Sequence, residues 1–192
     1  GVQTCALPIL LFGKVTPGGK LTTTFPRSVG QLPLYYNHLN TGRPDPDSHS
    51  FNRYSSNYLD MSNEPLYPFG YGLSYTNFSY GNLQLSSDVL SRNGELTVSV
   101  TVTNDGDFDG YEIVQMYLHD IYAEISRPVK ELKGFERIFL KKGESREVKF
   151  VITEDDLRFY NSGLQYVYEP GEFDVMVGAN SRDVQTERFR AD

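Results

Sequence analysis

A short run of side chains between positions 35 and 43 combines an aromatic face with amide, imidazole and guanidinium groups. This combination supplies the donors, acceptors and apolar surface that recognise sugar hydroxyl groups. The alternative is a rigid loop that docks one domain on another, because Arg and Tyr are also favoured at interfaces. Both interpretations stay open for the candidate substrate-binding residues Tyr36, Asn37, His38, Asn40 and Arg43.

Two groups of acidic residues could also do chemistry. Asp105–Gly110 reads Asp-Gly-Asp-Phe-Asp-Gly, the opening of a calcium loop, but Met116 stands where that loop needs its closing glutamate. A solvated hairpin turn is therefore predicted there. Glu154–Asp156 is predicted to begin a helical turn capped by Thr153, where negative charge is favourable.

Metal, cofactor and disulfide chemistry find little support. The histidines His38, His49 and His119 are dispersed, without the spacing or the companion cysteines of a zinc site. Cys5 is the only cysteine, so no intrachain disulfide can form. We expect no metal and no cofactor.

The elements that position these residues differ between the two parts of the chain. Up to about residue 75, frequent prolines disfavour helix and predict extended segments and loops. Leu21–Phe25 is predicted as a short strand and 45–56 as a polar loop. From Phe78 onward the period changes to two, as in Leu96–Val102, where Leu and Val alternate with Thr and Ser.

Short strands separated by turns predict a β-sandwich. Glycine-containing dipeptides that tolerate positive φ mark the turns: Asn93-Gly94, Asp105-Gly106, Lys142-Gly143, Ser162-Gly163 and Pro170-Gly171. The predicted strands are 83–85, 96–102, 112–118, 129–140, 146–152, 165–169, 171–177 and 187–190.

Composition narrows the class of partner. A net charge of -7 argues against nucleic acid and anionic membranes, because an acidic surface offers them no favourable field. Hydrophobic residues make up 39% of the chain, enough for a core, and no apolar run is long enough for a transmembrane helix. Trp is absent, so any platform for stacking sugars would use Tyr or Phe.

Several unusual strings occur in an order that resembles the C-terminal part of glycoside hydrolase family 3 enzymes of the bacterial periplasmic β-glucosidase type. The resemblance covers nearly everything from Leu11 to Asp192. It is carried by Gly18–Leu21, Phe25–Gln31, Tyr35–Pro44, Tyr67–Thr76, Ser126–Pro128 and Leu132–Phe135.

The resemblance implies a mostly β fold. Residues 78–192 would form a fibronectin type III-like, immunoglobulin-like β-sandwich. Residues 10–77 would be the extended C-terminal end of an α/β sandwich domain with its linker. Residues 1–9 look like a translated sequencing-adapter oligonucleotide and are predicted to be non-native.

The resemblance also implies an activity that this chain alone does not complete. The intact enzyme would hydrolyse terminal β-glycosidic bonds with retention, in the periplasm or outside the cell. Its nucleophile and its acid/base would lie in missing N-terminal catalytic domains, so no catalytic residue is assigned here. The chain's partners would be those domains and a β-glucoside or oligosaccharide substrate. Alternatives are an independent carbohydrate-binding or adhesion module and, within the family, a β-xylosidase or other exo-glycosidase.

Overall fold

The computed structural model of the protein describes residues 2–44 and 53–192. His49 and most of the predicted 45–56 loop lie outside the described residues. A helix that the sequence did not predict, α1, spans Val2–Leu11 with Pro8 inside it. The other described residues before Phe78, called the upstream part below, form no helix or strand apart from a 3-10 turn at Val29–Gln31.

The mostly β prediction is confirmed from Phe78 onward. From Phe78 onward, each predicted strand corresponds to an observed strand with shifted ends. Two very short strands, Val89–Leu90 and Phe159–Tyr160, were not predicted because two residues show no period. In chain order the elements are β1 (Phe78–Leu85), β2 (Val89–Leu90), β3 (Glu95–Asn104), β4 (Gly110–Asp120), β5 (Glu131–Leu140), β6 (Ser145–Thr153), α2 (Glu154–Leu157), β7 (Phe159–Tyr160), β8 (Tyr166–Val167), β9 (Gly171–Gly178) and β10 (Val184–Ala191).

These strands form a sandwich of two sheets. One sheet has the order β1-β3-β6 and the other β2-β10-β9-β4-β5, while β7 and β8 form a separate short hairpin. Neighbouring strands are antiparallel except β2, which runs parallel to β10. The predicted strand 165–169 shrinks to Tyr166–Val167 in that hairpin.

The core is built by alternation, as predicted. On β3 the side chains of Leu96, Val98, Val100 and Val102 are almost fully buried between the sheets, and the residues between them face outward. Burying each such side chain stabilises the fold by about 1.5–3 kcal/mol. The sandwich therefore rests on the period-two pattern that the sequence displays.

The middle of β4 departs from alternation. Val114–Leu118 is buried at every position, although only Val114, Met116 and Leu118 belong to the core between the sheets. Gln115 and Tyr117 point to the opposite face. That face is covered by the upstream part of the chain, so β4 is buried on both sides.

The predicted strand Leu21–Phe25 is wrong. Phe25 forms one isolated bridge with Tyr67, and Leu21 exchanges backbone hydrogen bonds with Gly70 and Tyr71. A regular ladder cannot continue between these contacts because Pro68 has no N–H to donate.

The turns follow the predicted chemistry at some positions and not at others. Asn93 and Gly143 adopt positive φ. At Ser162-Gly163, however, the positive φ of 59° falls on the next residue, Leu164. Thr153 caps α2 as predicted: its backbone N–H donates to the Asp156 carboxylate over 2.8 Å.

Candidate functional site

A groove of about 850 Å³ lies where the upstream part of the chain meets the sandwich. One wall comes from residues 31–41 and the other from residues 56–65, with Val129, Lys130, Ser181 and Arg182 of the sandwich at its base. Tyr36, His38 and Asn40 line it. Within the described ranges, Asn37 and Arg43 do not.

Tyr36 is held by the sandwich. Its ring stacks on Phe69 with centroids 4.2 Å apart and meets Tyr117 edge-on at 5.8 Å. Its hydroxyl accepts a hydrogen bond from the Leu132 N–H at 3.4 Å. With one ring face occupied by Phe69, Tyr36 makes the contacts that the domain-docking interpretation requires.

The other candidate side chains are exposed. Backbone contacts fix this loop: the Val129 N–H donates to the His38 carbonyl, and the Asn40 side chain accepts from the Gly42 N–H. The amide of Asn37 and the guanidinium of Arg43 form no hydrogen bond or ion pair with other described residues. Both side chains are exposed, as contact with a ligand or another domain requires.

The structure adds two groove residues that sequence reasoning missed. Gln31 is buried; its side chain accepts from the Arg27 N–H at 2.5 Å and donates to the Ser62 carbonyl at 3.0 Å. These bonds join the two walls. The available signal was Gln31 itself, a polar residue ending one of the strings that carry the resemblance.

Lys130 is the second missed residue. Its ammonium donates to the Ser181 carbonyl over 2.6 Å. Desolvation by burial lowers the pKa of Lys130, and the nearby Glu64 carboxylate opposes that shift. A half-buried amine with a lowered pKa at the base of a groove can orient a polar ligand. The signal was a lysine next to the first apolar residue of a predicted strand.

Two polar contacts hold the upstream part on the sandwich, one on the outer face of the five-stranded sheet and one on the side of β4 that faces the other sheet. Gln115 donates to the carbonyls of Gly70 and Ala179 and accepts from the Tyr117 hydroxyl. The buried carboxylate of Glu112 accepts from Lys20 at 2.9 Å and from the Tyr80 hydroxyl at 2.8 Å. The glycine-containing strings Gly18–Leu21 and Tyr67–Thr76 therefore form the surface with which the upstream part docks on the sandwich.

The acidic clusters are engaged in local structure. In the 105–110 turn, Lys142 contacts Asp107 and Asp109 at 2.7 and 2.9 Å. Glu154 and Asp155 pair with Arg158. Across the described chain, no group of three or more His, Cys, Asp or Glu residues could hold a metal ion.

The carboxyl group of Asp120 has a pKa that is raised above its ordinary value. Desolvation by burial is the main cause and Glu169 adds to it, whereas Arg127 and His119 oppose it. One of its oxygens, Oδ1, has no hydrogen-bond partner among the residues that the structure describes. Asp120 does not line the groove, so its shift has no connection with chemistry there.

We expect the stability of the protein to show this shift in its pH dependence. Because the folded-state pKa of Asp120 lies above the unfolded value, its contribution is fully present below the unfolded pKa and is lost as pH rises through the folded pKa. The variant Asp120→Asn should therefore gain stability relative to the parent as the pH rises above about 4, the ordinary pKa of an Asp carboxyl group.

Urea unfolding at several pH values measures this difference. Asp60→Asn, a change at an exposed carboxyl, is the matched control and should show no such trend. A constant difference between Asp120→Asn and the parent across that pH range would contradict the assignment.

Fold and site together define a class of protein: a fibronectin type III-like sandwich with a docked proline- and glycine-rich segment. Sequence profiles agree, the "Glycosyl hydrolase family 3 C-terminal domain" matching residues 3–75 and the "Fibronectin type III-like domain" matching residues 112–181. The chain belongs to glycoside hydrolase family 3 and corresponds to the C-terminal part of the enzymes in that family. The resemblance found in the sequence is confirmed.

Known proteins give the same result. The chain is 51% identical over 185 residues to a periplasmic beta-glucosidase of Salmonella typhimurium, covering 96% of this chain and 24% of that protein. It is 46% identical to a beta-xylosidase of Formosa agariphila, covering 92% and 23%. The crystal structure of a beta-glucosidase from Listeria innocua in complex with gluconolactone superposes with a TM-score of 0.89 at 46% identity, over 95% of this chain and 25% of that one.

The chain thus spans about a quarter of the length of these relatives. In the portion of the protein that the structure describes, no helix has the length and apolarity needed to cross a bilayer.

Proposed function

We propose that this chain is the C-terminal part of a retaining β-glucosidase-type enzyme that removes terminal sugars from β-glucosides or oligosaccharides. The observation that supports this most is the 51% identity to the Salmonella beta-glucosidase across 96% of the chain. In this proposal the chain acts as scaffold and groove wall, and the missing N-terminal domains supply the catalytic groups.

The chemistry of the groove agrees with a scaffold. Glycoside hydrolysis needs two carboxyl groups on opposite sides of the scissile bond. Among the described residues that line the groove, Glu64 is the only carboxylate. The chain alone is therefore expected to be inactive.

A chimera tests the proposal. The corresponding C-terminal quarter of the Salmonella enzyme is replaced by this chain, and hydrolysis of aryl β-glucoside and aryl β-xyloside is measured. We expect β-glucoside hydrolysis by the chimera and none by the chain alone. Hydrolysis by the purified chain, or a folded chimera without activity, would contradict the proposal. Faster hydrolysis of the xyloside would favour the β-xylosidase alternative, which the similarity to the Formosa beta-xylosidase supports.

The candidate loop is proposed to contact substrate through the exposed side chains of Asn37, His38, Asn40 and Arg43, with Tyr36 as its anchor. In the chimera, Asn37→Ala and Arg43→Ala should raise KM roughly tenfold while the melting temperature stays constant, because exposed donors add little to folding. Lys149→Ala, which removes an exposed positive charge from β6, outside the loop and the groove, serves as the control with unchanged KM. Lowered stability with unchanged KM in the two alanine variants would support docking instead.

The independent-module alternative makes a separate prediction. A free carbohydrate-binding domain should bind cello-oligosaccharides at millimolar or lower concentration in isolation. The result that separates it from the enzyme is that it should not restore activity to the chimera. The docked upstream segment favours the enzyme, because a free module does not need it.

The location and the domain division are also proposals. The relation to a periplasmic enzyme supports the periplasm or the exterior of the cell. We propose that residues 10–77 are the end of an α/β sandwich domain with its linker. Residues 78–192 are proposed to be the β-sandwich domain, because β1 begins at Phe78. That residues 1–9 are adapter-derived stays a prediction, and sequencing the source DNA across this junction tests it.

A further inference from the structure

The hairpin of β7 and β8 presents a pair of exposed tyrosines. The register places Tyr160 directly opposite Tyr166, so both side chains lie on one face. Their ring centroids are 5.0 Å apart, and the residues are 63% and 51% exposed. Leu164 at the tip is 83% exposed. An apolar surface of this kind on a small hairpin needs a reason.

The hairpin is held in one shape. The Asn161 side chain accepts hydrogen bonds from the N–H groups of Gly163 and Gln165, each with a donor–acceptor distance of 3.0 Å. Ser162 donates to Glu124 over 2.6 Å, which ties the turn to the neighbouring loop. At the base, the buried ring of Phe159 lies against the Arg127 guanidinium at 4.5 Å. The tyrosine pair is thus ordered before any ligand arrives, which lowers the entropic cost of binding.

The chemistry of the hairpin selects an uncharged ligand. Residues 159–167 read Phe-Tyr-Asn-Ser-Gly-Leu-Gln-Tyr-Val and contain no charged residue, in a chain where charged residues make up 22%. Polyanions and anionic lipid surfaces need basic side chains, which this segment lacks. Protein partners need about 800 Å² on each side, more than a small hairpin supplies.

We propose that Tyr160 and Tyr166 form a binding platform for a neutral β-glucan chain, separate from the groove. The apolar faces of successive sugar rings would pack on the two phenol rings, while the phenol hydroxyls and the exposed Gln165 amide bond to sugar hydroxyls. The choice of a β-glucan rests on the proposed function. In the intact enzyme, the platform would retain long substrates near the active site without taking part in bond cleavage.

Titration of the full chain with cellohexaose tests the platform, measured by calorimetry. We expect binding that weakens roughly tenfold or more in the double variant Tyr160→Ala/Tyr166→Ala, because both stacking surfaces are removed. Phe135→Ala, which removes another exposed ring from β5, is the matched control and should bind like the parent. An acidic oligogalacturonate should not bind. Circular dichroism checks that each variant is folded, and Tyr160→Leu/Tyr166→Leu replaces the alanine variant if that one unfolds.

Several results would overturn the proposal. They are absence of cellohexaose binding at millimolar concentration, equal affinity in the double variant, and self-association of the chain in sedimentation that the double variant abolishes. The last result would mean that a second copy covers the rings. Aryl β-glucoside hydrolysis by the chimera separates the two proposals. If the chimera is active but the tyrosine substitutions do not change glucan binding, only the platform fails; if it is inactive, the proposed function fails.

Discussion

Replacing Gly70 by alanine is expected to lower the free energy of unfolding by about 2–5 kcal/mol. Gly70 has a φ of +78°, a conformation that costs an alanine about 1–2 kcal/mol. A Cβ there would also overlap the carboxamide of Gln115, whose Cδ lies 2.7 Å from that position. Gln115 is buried and bonded to Gly70, Tyr117 and Ala179, so moving it leaves buried polar groups without partners.

Gly143→Ala is the matched control for this prediction. Gly143 has a similar φ of +75°, but nothing lies within 4 Å of the point that an alanine Cβ would occupy. The Gly143→Ala variant should therefore lose only the free energy of unfolding that the backbone conformation costs an alanine, about 1–2 kcal/mol. Urea unfolding of both variants measures the difference. Equal destabilisation would show that the contact between Gly70 and Gln115 contributes nothing.

Asn104→Ala is expected to destabilise the sandwich by about 2–4 kcal/mol. Asn104 ends β3 and is fully buried. Its side-chain oxygen accepts from the Thr76 hydroxyl at 2.6 Å, and its amide donates to the carbonyls of Phe108 and Leu140. One side chain thus joins the upstream segment, the 105–110 turn and β5, and its removal leaves buried partners unsatisfied.

Thr103→Ala, at the neighbouring half-buried position, is the control for the Asn104 variant. Thr103 shares a side-chain hydrogen bond only with the exposed Ser145 hydroxyl, so a change within about 0.5 kcal/mol is expected. Thermal unfolding by calorimetry compares the two. An Asn104→Ala protein as stable as the Thr103→Ala protein would rule out the role assigned to Asn104.

The sandwich could be predicted from the sequence because its pattern is local. Leu96–Val102 alternates, and β3 has that alternation in the structure. The turn at Asn93 and the cap at Thr153 follow from local backbone chemistry in the same way. Where the decisive contact is distant, prediction failed. Leu21–Phe25 is not a strand because the segment that pairs with it, far along the chain, contains Pro68.

The candidate site shows the same division. The residue types at 36–43 indicated a binding loop or a docking loop, but no local pattern tells that Phe69 occupies one face of Tyr36. Gln31 and Lys130 were missed for the same reason, since their roles depend on the carbonyls of Ser62 and Ser181. Contacts across such sequence separations have no period that a sequence pattern can display.

The double-sided burial of β4 sets a limit on how the protein can be divided. A polypeptide shortened to begin at Phe78 would keep every strand, yet it would present Tyr117 and Gln115 to water. Such an uncovered strip promotes aggregation. Recombinant versions of the sandwich should therefore retain the residues from Gly18 onward. Limited proteolysis of the intact protein should leave both the upstream part and the sandwich uncut.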